Sequence, residues 1–257
     1  MDLNLKKRTA LITGGSRGIG LGVAKLLAAE GCNLHLASRS AADLETARRQ
    51  ITAEHKVEVT THALDLSTQE NVIALVKASG PIDFLINNAG AIPQGAITAI
   101  DDATWRQAWD LKLFGFINMT REVYCDMCER KRGVIINVAG TAGERPTAGY
   151  IAGSMANAGL MAMSRALGAE SVDFGVRVIA LNPGGTETDR QVVRWKARAK
   201  KEFGDENRWR ELVTGNPMGR LATVDEVAAT IVFLCSERSG YTSGTVITID
   251  GGASARK

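Results

Sequence analysis

The sequence predicts an α/β protein: a doubly wound parallel sheet of about seven strands with helices on both faces. Three observations carry that expectation. Short, nearly continuous apolar runs alternate with stretches of helical periodicity along the chain. A glycine-rich segment directly follows the first run and opens the first helical stretch. The other chemically informative residues fall at the ends of later runs, where doubly wound sheets bind their ligands.

The first strand is expected over residues 9–13, followed by Gly14-Gly15-Ser16-Arg17-Gly18-Ile19-Gly20 and a helix over 19–29. A strand that breaks on glycines and continues as a helix leaves unpaired backbone N–H groups at the helix start. With the helix dipole they form a site for phosphate or pyrophosphate. The spacing Gly14-x3-Gly18-x-Gly20 differs from G-x-G-x-x-G, but the mechanics are the same. Further strands are expected over 33–38, 57–62, 82–87, 133–138, 176–181 and 245–249. The helices between them are expected over 41–53, 69–78, 104–130, 149–172 and 224–236. Right-handed crossovers turn this order into a doubly wound sheet.

The 257 residues, 45% hydrophobic and 23% charged, suffice for a large core, and with no linker-like stretch one domain over 1–257 is expected. No apolar run of membrane length and no signal peptide is apparent, so the expected location is cytoplasmic. A net charge of +3, with bases and acids interspersed, gives no indication of nucleic acid. Cys125 and Cys128 are spaced C-x-x-C inside a helical stretch with no second pair, and His35, His55 and His62 lack a ligand cluster. No metal site is expected.

Together with the glycine segment, four further motifs resemble the short-chain dehydrogenase/reductase family from Thr9 to Gly252. They are Asp65-Leu66, Asn87-Asn88-Ala89-Gly90, Asn182-Pro183-Gly184 followed by Thr188, and the tail from Phe233 through Asp250-Gly251-Gly252. The resemblance implies a Rossmann-type fold and a nicotinamide dinucleotide. It places Gly14, Ser16, Arg17, Gly18, Ile19 and Gly20 at the phosphates, and Asp65 and Leu66 at the adenine. Asn88, Ala89 and Gly90 would follow the ribose, while Pro183, Gly184, Thr186 and Thr188 would orient the nicotinamide. At the end of the second strand an acidic residue would repel a 2′-phosphate; here that end is Ser38-Arg39, with Arg17 nearby. Guanidiniums suit a dianionic phosphate, so NADP(H) is expected over NAD(H).

The catalytic positions depart from the family. Its serine corresponds to Gly140, its Tyr-x-x-x-Lys to Tyr150 and Ser154, and its asparagine to Lys112. The family's lysine lowers the tyrosine pKa. Bringing a tyrosine from about 10 to neutrality takes roughly 4 kcal/mol, which a serine hydroxyl cannot supply by charge. Reduction depends less on this, because a neutral tyrosine donates the proton. Lys112 is the candidate replacement for the missing charge, projecting from the opposite wall. Ser154 and Asn157 share the helical face of Tyr150 and are candidates to hydrogen-bond ribose or substrate. Glu144 reads as a solvated loop carboxylate.

Residues 188–216 correspond to the family's substrate lid, with Trp195, Ala199 and Phe203 at i, i+4, i+8 spacing expected to cover the pocket. Arg190, Arg194, Lys196, Arg198, Lys200 and Lys201 bias this stretch positively. Surplus apolar and small residues on the helices over 104–130 and 149–172, including Met155, Gly159, Leu160, Met163 and Leu167, suggest a homodimer or homotetramer. Two functions follow: an NADP(H)-linked oxidoreductase acting on a small carbonyl or alcohol through Tyr150, or a dinucleotide-binding protein without dehydrogenase activity.

Overall fold

The computed structural model describes residues 1–256. The elements in chain order are β1 (Thr9–Thr13), α1 (Gly18–Ala29), β2 (Asn33–Ser38), α2 (Ala41–Glu54), β3 (Val59–Ala63), α3 (Gln69–Ser79) and β4 (Phe84–Asn87). They continue with α4 (Asp102–Trp109), α5 (Gly115–Glu129), β5 (Gly133–Val138), α6 (Ile151–Glu170) and β6 (Val176–Pro183). The last are α7 (Asp189–Phe203), α8 (Trp209–Val213), α9 (Val224–Cys235) and β7 (Thr245–Ile249). The seven strands are ordered β3-β2-β1-β4-β5-β6-β7, and every pair is parallel.

The two-residue period of each strand divides its side chains between two cores. On one face Ala10, Ile12, Leu34, Leu36, Phe84, Ile86, Ile136 and Leu181 pack with α1, α2 and α9 through Val23, Leu27, Leu44, Ile51, Val227 and Ile231. On the other face Leu11, Leu85, Ile135, Val176 and Val178 pack with α3 and α5 through Val72, Leu75, Met119, Val123 and Met127. Burial on both faces is why these strands read as continuous apolar runs.

The long helix expected over 104–130 is interrupted. Residues Asp110–Phe114 form a π-helical turn between α4 and α5, closed by the Gly115 N–H donating to the Asp110 carbonyl. Gly115 faces the Leu66 carbonyl, where an added Cβ would lie only 3.0 Å from the oxygen. Such a turn shifts the facing of the helix within one winding, and Lys112 sits in its middle. The third strand starts at Val59 and the fourth at Phe84, both later than expected, whereas the sixth runs on to Pro183.

Candidate active site

Thr13 ends β1, and its hydroxyl accepts from the backbone N–H of Asn88 at 2.9 Å and of Ala89 at 3.1 Å. Asn88 returns the contact, its amide donating to the Thr13 and Gly14 carbonyls at 3.2 and 3.3 Å. The glycine segment and the β4 loop are thereby fixed to one another. A Cβ on Gly20 would collide with the Gly14 carbonyl, so that close approach excludes other residues. Thr188 caps α7 by accepting from Gln191 N at 3.3 Å, and its methyl group lies over Gly18. Gly14, Arg17, Gly18, Ile19, Asn88, Ala89, Gly90 and Thr188 share a cleft of about 680 Å³.

A second cavity of about 460 Å³ shares Ile19, Asn88, Gly90, Arg190 and Arg194 with that cleft, and adds Lys112, Gly140, Tyr150, Asn157, Pro183, Gly184 and Thr186. Pro183 and Gly184 come from the end of β6, where Gly184 N donates to Ile249 O at 2.8 Å. Thr186 is buried, its hydroxyl on the Gly184 carbonyl at 3.2 Å. Ser16 lies half-buried within the glycine segment, and Leu66 is buried in the core while Asp65 is exposed beside Arg39.

The two arginines expected near the adenosine ribose are placed differently. Arg17 pairs with Asp43 in the first turn of α2, a partner the sequence reading missed. Arg39 is exposed and makes no ion pair among the described residues. The hydroxyl of Ser38, beside it at the end of β2, is buried without a hydrogen-bond partner.

Tyr150 precedes α6, with φ −142° and ψ 39°. Its N–H donates to Thr147 O at 3.1 Å, and its carbonyl accepts from Ser154 N at 2.9 Å. The ring lies back across the first turn of the helix. A Cβ on Gly153 would overlap ring atoms Cε1 and Cζ and stand 2.7 Å from the hydroxyl. Burial raises the phenol above its ordinary pKa, opposed by Arg190 and Arg194. Gly153→Ala should therefore displace the ring and reduce turnover about tenfold or more, with circular dichroism still native, since overpacking costs roughly 1–3 kcal/mol. Unaltered turnover would contradict this placement.

Asn157, rather than Ser154, faces the end of β5. A Cβ on Gly140 would lie 3.0 Å from the Asn157 amide nitrogen, and Asn157 lines the cavity. Ser154 is buried, with its hydroxyl accepting from Thr147 N at 3.4 Å, so it supports the loop before Tyr150. Gly140 itself has φ +145°, a conformation in which a serine would be strained. Glu144 lies outside the cavity and accepts from the Thr248 hydroxyl at 3.2 Å.

Lys112 is only 8% exposed. Its ammonium donates to Val138 O at 2.6 Å and approaches Ala139 O at 3.5 Å, with the Phe116 ring centroid 4.6 Å away. Burial, with a smaller contribution from Arg190, pulls its pKa down to about 7. The lysine thus occupies the wall formed by the end of β5, beside the strand position where the family's serine would stand.

In the 188–216 segment Trp195 and Ala199 do not cover the cavity. They pack with Trp209 and Val213 of the same segment and with Leu221 just beyond it, and Phe203 lies under the Arg208 guanidinium at 4.4 Å. The residues that reach the cavity are Arg190, Gln191 and Arg194, on the polar side of the same helix. For the two arginines, the positive bias of this stretch was the signal available in the sequence.

The parallel sheet, the glycine segment under a helix start and a cavity at the carboxyl ends of β4, β5 and β6 define a fold of the dinucleotide-binding type. The chain belongs to the short-chain dehydrogenase/reductase family: the family model for short chain dehydrogenase matches residues 8–199. It is 30% identical over 256 residues to a 3-oxoacyl-[acyl-carrier-protein] reductase of Chlamydia muridarum, covering 98% of this chain and 99% of that one. An acetoacetyl-CoA reductase of Allochromatium vinosum is 32% identical over 253 residues, 95% and 98% of the two chains. Among solved structures, L-sorbose reductase of Gluconobacter frateurii complexed with NADPH and L-sorbose superposes with a TM-score of 0.94, 31% identity and full coverage of both chains. Among the described residues, no helix is long and apolar enough to cross a membrane.

Proposed function

We propose that this protein is a cytoplasmic NADP(H)-dependent reductase of a small carbonyl compound, with Tyr150 as the proton donor. The observation that carries this reading is the phenol lying over Gly153 at the cavity wall, kept protonated by burial. Bound beside it, the nicotinamide would supply or accept the hydride. Gly14, Ser16, Gly18, Ile19 and Gly20 would hold the diphosphate, Asn88, Ala89, Gly90, Pro183, Gly184, Thr186 and Thr188 the nicotinamide side, and Asp65 and Leu66 the adenine. The spare hydroxyl of Ser38 and the unpaired Arg39 suit an adenosine ribose carrying a 2′-phosphate.

Four residues before Asn157 is Gly153. The family's Tyr-x-x-x-Lys spacing, counted from the residue that faces Gly140, therefore reads Gly153 and Asn157, with Tyr150 delivering its ring to the vacated space from one turn earlier. Lys112 restores a positive charge near the carbonyl, and Ser154 positions the Thr147–Tyr150 segment. Tyr150 gives its proton to the developing alkoxide, and Lys112 stabilises the charge before transfer. NADPH oxidation with a panel of carbonyl compounds tests the reading. No turnover across the panel, with NADPH still bound, would favour a dinucleotide-binding protein without dehydrogenase activity, the reading to which the loss of side chains at Gly140 and Gly153 points. Exposed Phe114, Met155, Val172 and Phe174 support a homodimer or homotetramer.

The cofactor preference has its own test. NADPH should bind at least about tenfold more tightly than NADH, about 1.4 kcal/mol. Arg39→Ala should remove most of that difference while NADH affinity stays close to that of the parent. Equal affinities for the parent protein in calorimetry would refute the assignment.

A further inference from the structure

The six arginines between Thr188 and Ala222 divide into two groups. Arg198 pairs with Glu202 at 2.7 Å, Arg208 with Glu211 at 2.7 Å, Arg210 with Glu187 at 3.2 Å and Arg220 with Glu226 at 2.6 Å. Arg190 and Arg194 pair with no carboxylate among the described residues, and these are the two that line the cavity. Arg190 donates to Gly90 O at 3.0 Å and approaches Ile92 O at 3.4 Å. Arg194 donates to the Gln191 side-chain oxygen at 3.4 Å.

Both arginines occupy the first two turns of α7, where the helix dipole disfavours cations. Lys112 adds a third cation, and no aspartate or glutamate lines the cavity. Arg190, Arg194, Lys112 and the Tyr150 phenol all line this one cavity. Unpaired cations grouped in a recess call for an anion.

Resting on the reading of this cavity as a carbonyl site, we propose that the substrate carries a carboxylate. It is seated between Arg190 and Arg194, with the reacting carbonyl turned toward Tyr150. The competing anion is the cofactor's diphosphate, because both arginines also border the glycine-segment cleft. The substrate is favoured because Arg194 is bonded to Gln191, which lines the Tyr150 cavity and not that cleft. The diphosphate already has the N-terminus of α1.

The test is calorimetric titration of the NADP⁺-saturated protein with three hydroxy acids: 2-hydroxybutanoate, 3-hydroxybutanoate and 4-(1-hydroxyethyl)benzoate. Each is compared with its methyl ester. At least one acid should bind about tenfold or more tightly than its ester, a difference that Arg194→Gln removes and Arg194→Lys largely keeps. NADP⁺ affinity should stay within about threefold in both variants. Acids and esters binding equally, no acid binding, or the preference surviving in Arg194→Gln would overturn the proposal. So would a loss of NADP⁺ affinity with the acid preference intact, which would assign the arginines to the diphosphate. An acid that binds with this preference but whose oxo counterpart is never reduced by NADPH would sustain the carboxylate site while removing the reductase reading.

Discussion

Tyr150→Phe should lower the turnover number for carbonyl reduction about 100-fold or more, the usual contribution of a positioned general acid. NADPH affinity should change little. The substitution keeps the ring over Gly153 and removes only the hydroxyl, so a packing role predicts no loss. Because burial raises the phenol's pKa, the donor stays protonated through neutral pH, and its own limb in the rate profile lies above the ordinary tyrosine range. The reverse oxidation needs the phenolate and should be slow at neutral pH. A loss of less than about threefold in reduction would remove Tyr150 from the chemistry.

Lys112→Met should show two separate effects. In the parent, reduction should weaken as the pH rises through about 7 and the ammonium loses its proton. The methionine variant should lack that limb and be about 100-fold slower on its acid side, the scale of losing one charge-stabilising donor. Stability should move the other way. The folded lysine titrates near 7 and the unfolded one near its ordinary 10.5, so between those values the unfolded chain binds the extra proton. The parent therefore gains stability as pH rises across that window, while below it the full cost of the buried charge is present. The methionine variant has no such slope. Its stability relative to the parent should fall by roughly 5 kcal/mol from the acid to the alkaline side of the window. About 1 kcal/mol for each lost carbonyl hydrogen bond offsets its acid-side advantage. Parallel denaturation midpoints at all pH values would show that Lys112 has an ordinary pKa.

The sheet was legible because strands buried on both faces must be apolar almost throughout, as in Val134-Ile135-Ile136, and because glycine is demanded where Gly14 and Gly20 meet neighbouring backbone. The π turn was not. Asp110 to Phe114 carries ordinary helix formers, and only contacts distant in sequence, Lys112 on Val138 and Gly115 against Leu66, mark the departure from α geometry. The stripe Trp195-Ala199-Phe203 showed a helix with one apolar face. Periodicity does not say what that face meets, and it meets α8. Asn157 was visible as sharing a face with Tyr150, but its approach to Gly140 depends on how α6 lies against β5.

The placement of Tyr150 before its helix has a consequence for how the proton donor can be tuned. A tyrosine inside a helix is held to rotamers directed by the preceding turn. Tyr150 stands outside that restriction and is bridged to Gly95, on the stretch between β4 and α4. Its aim is therefore set jointly by two loops and by the bare backbone at Gly153. Substitutions around Gly95 or Thr147, which meet the backbone at Tyr150, should re-aim the acid without altering its phenol. The sequence signature of such a site is a tyrosine three residues ahead of a glycine, and a chain with a bulky residue at that glycine would need its acid from elsewhere.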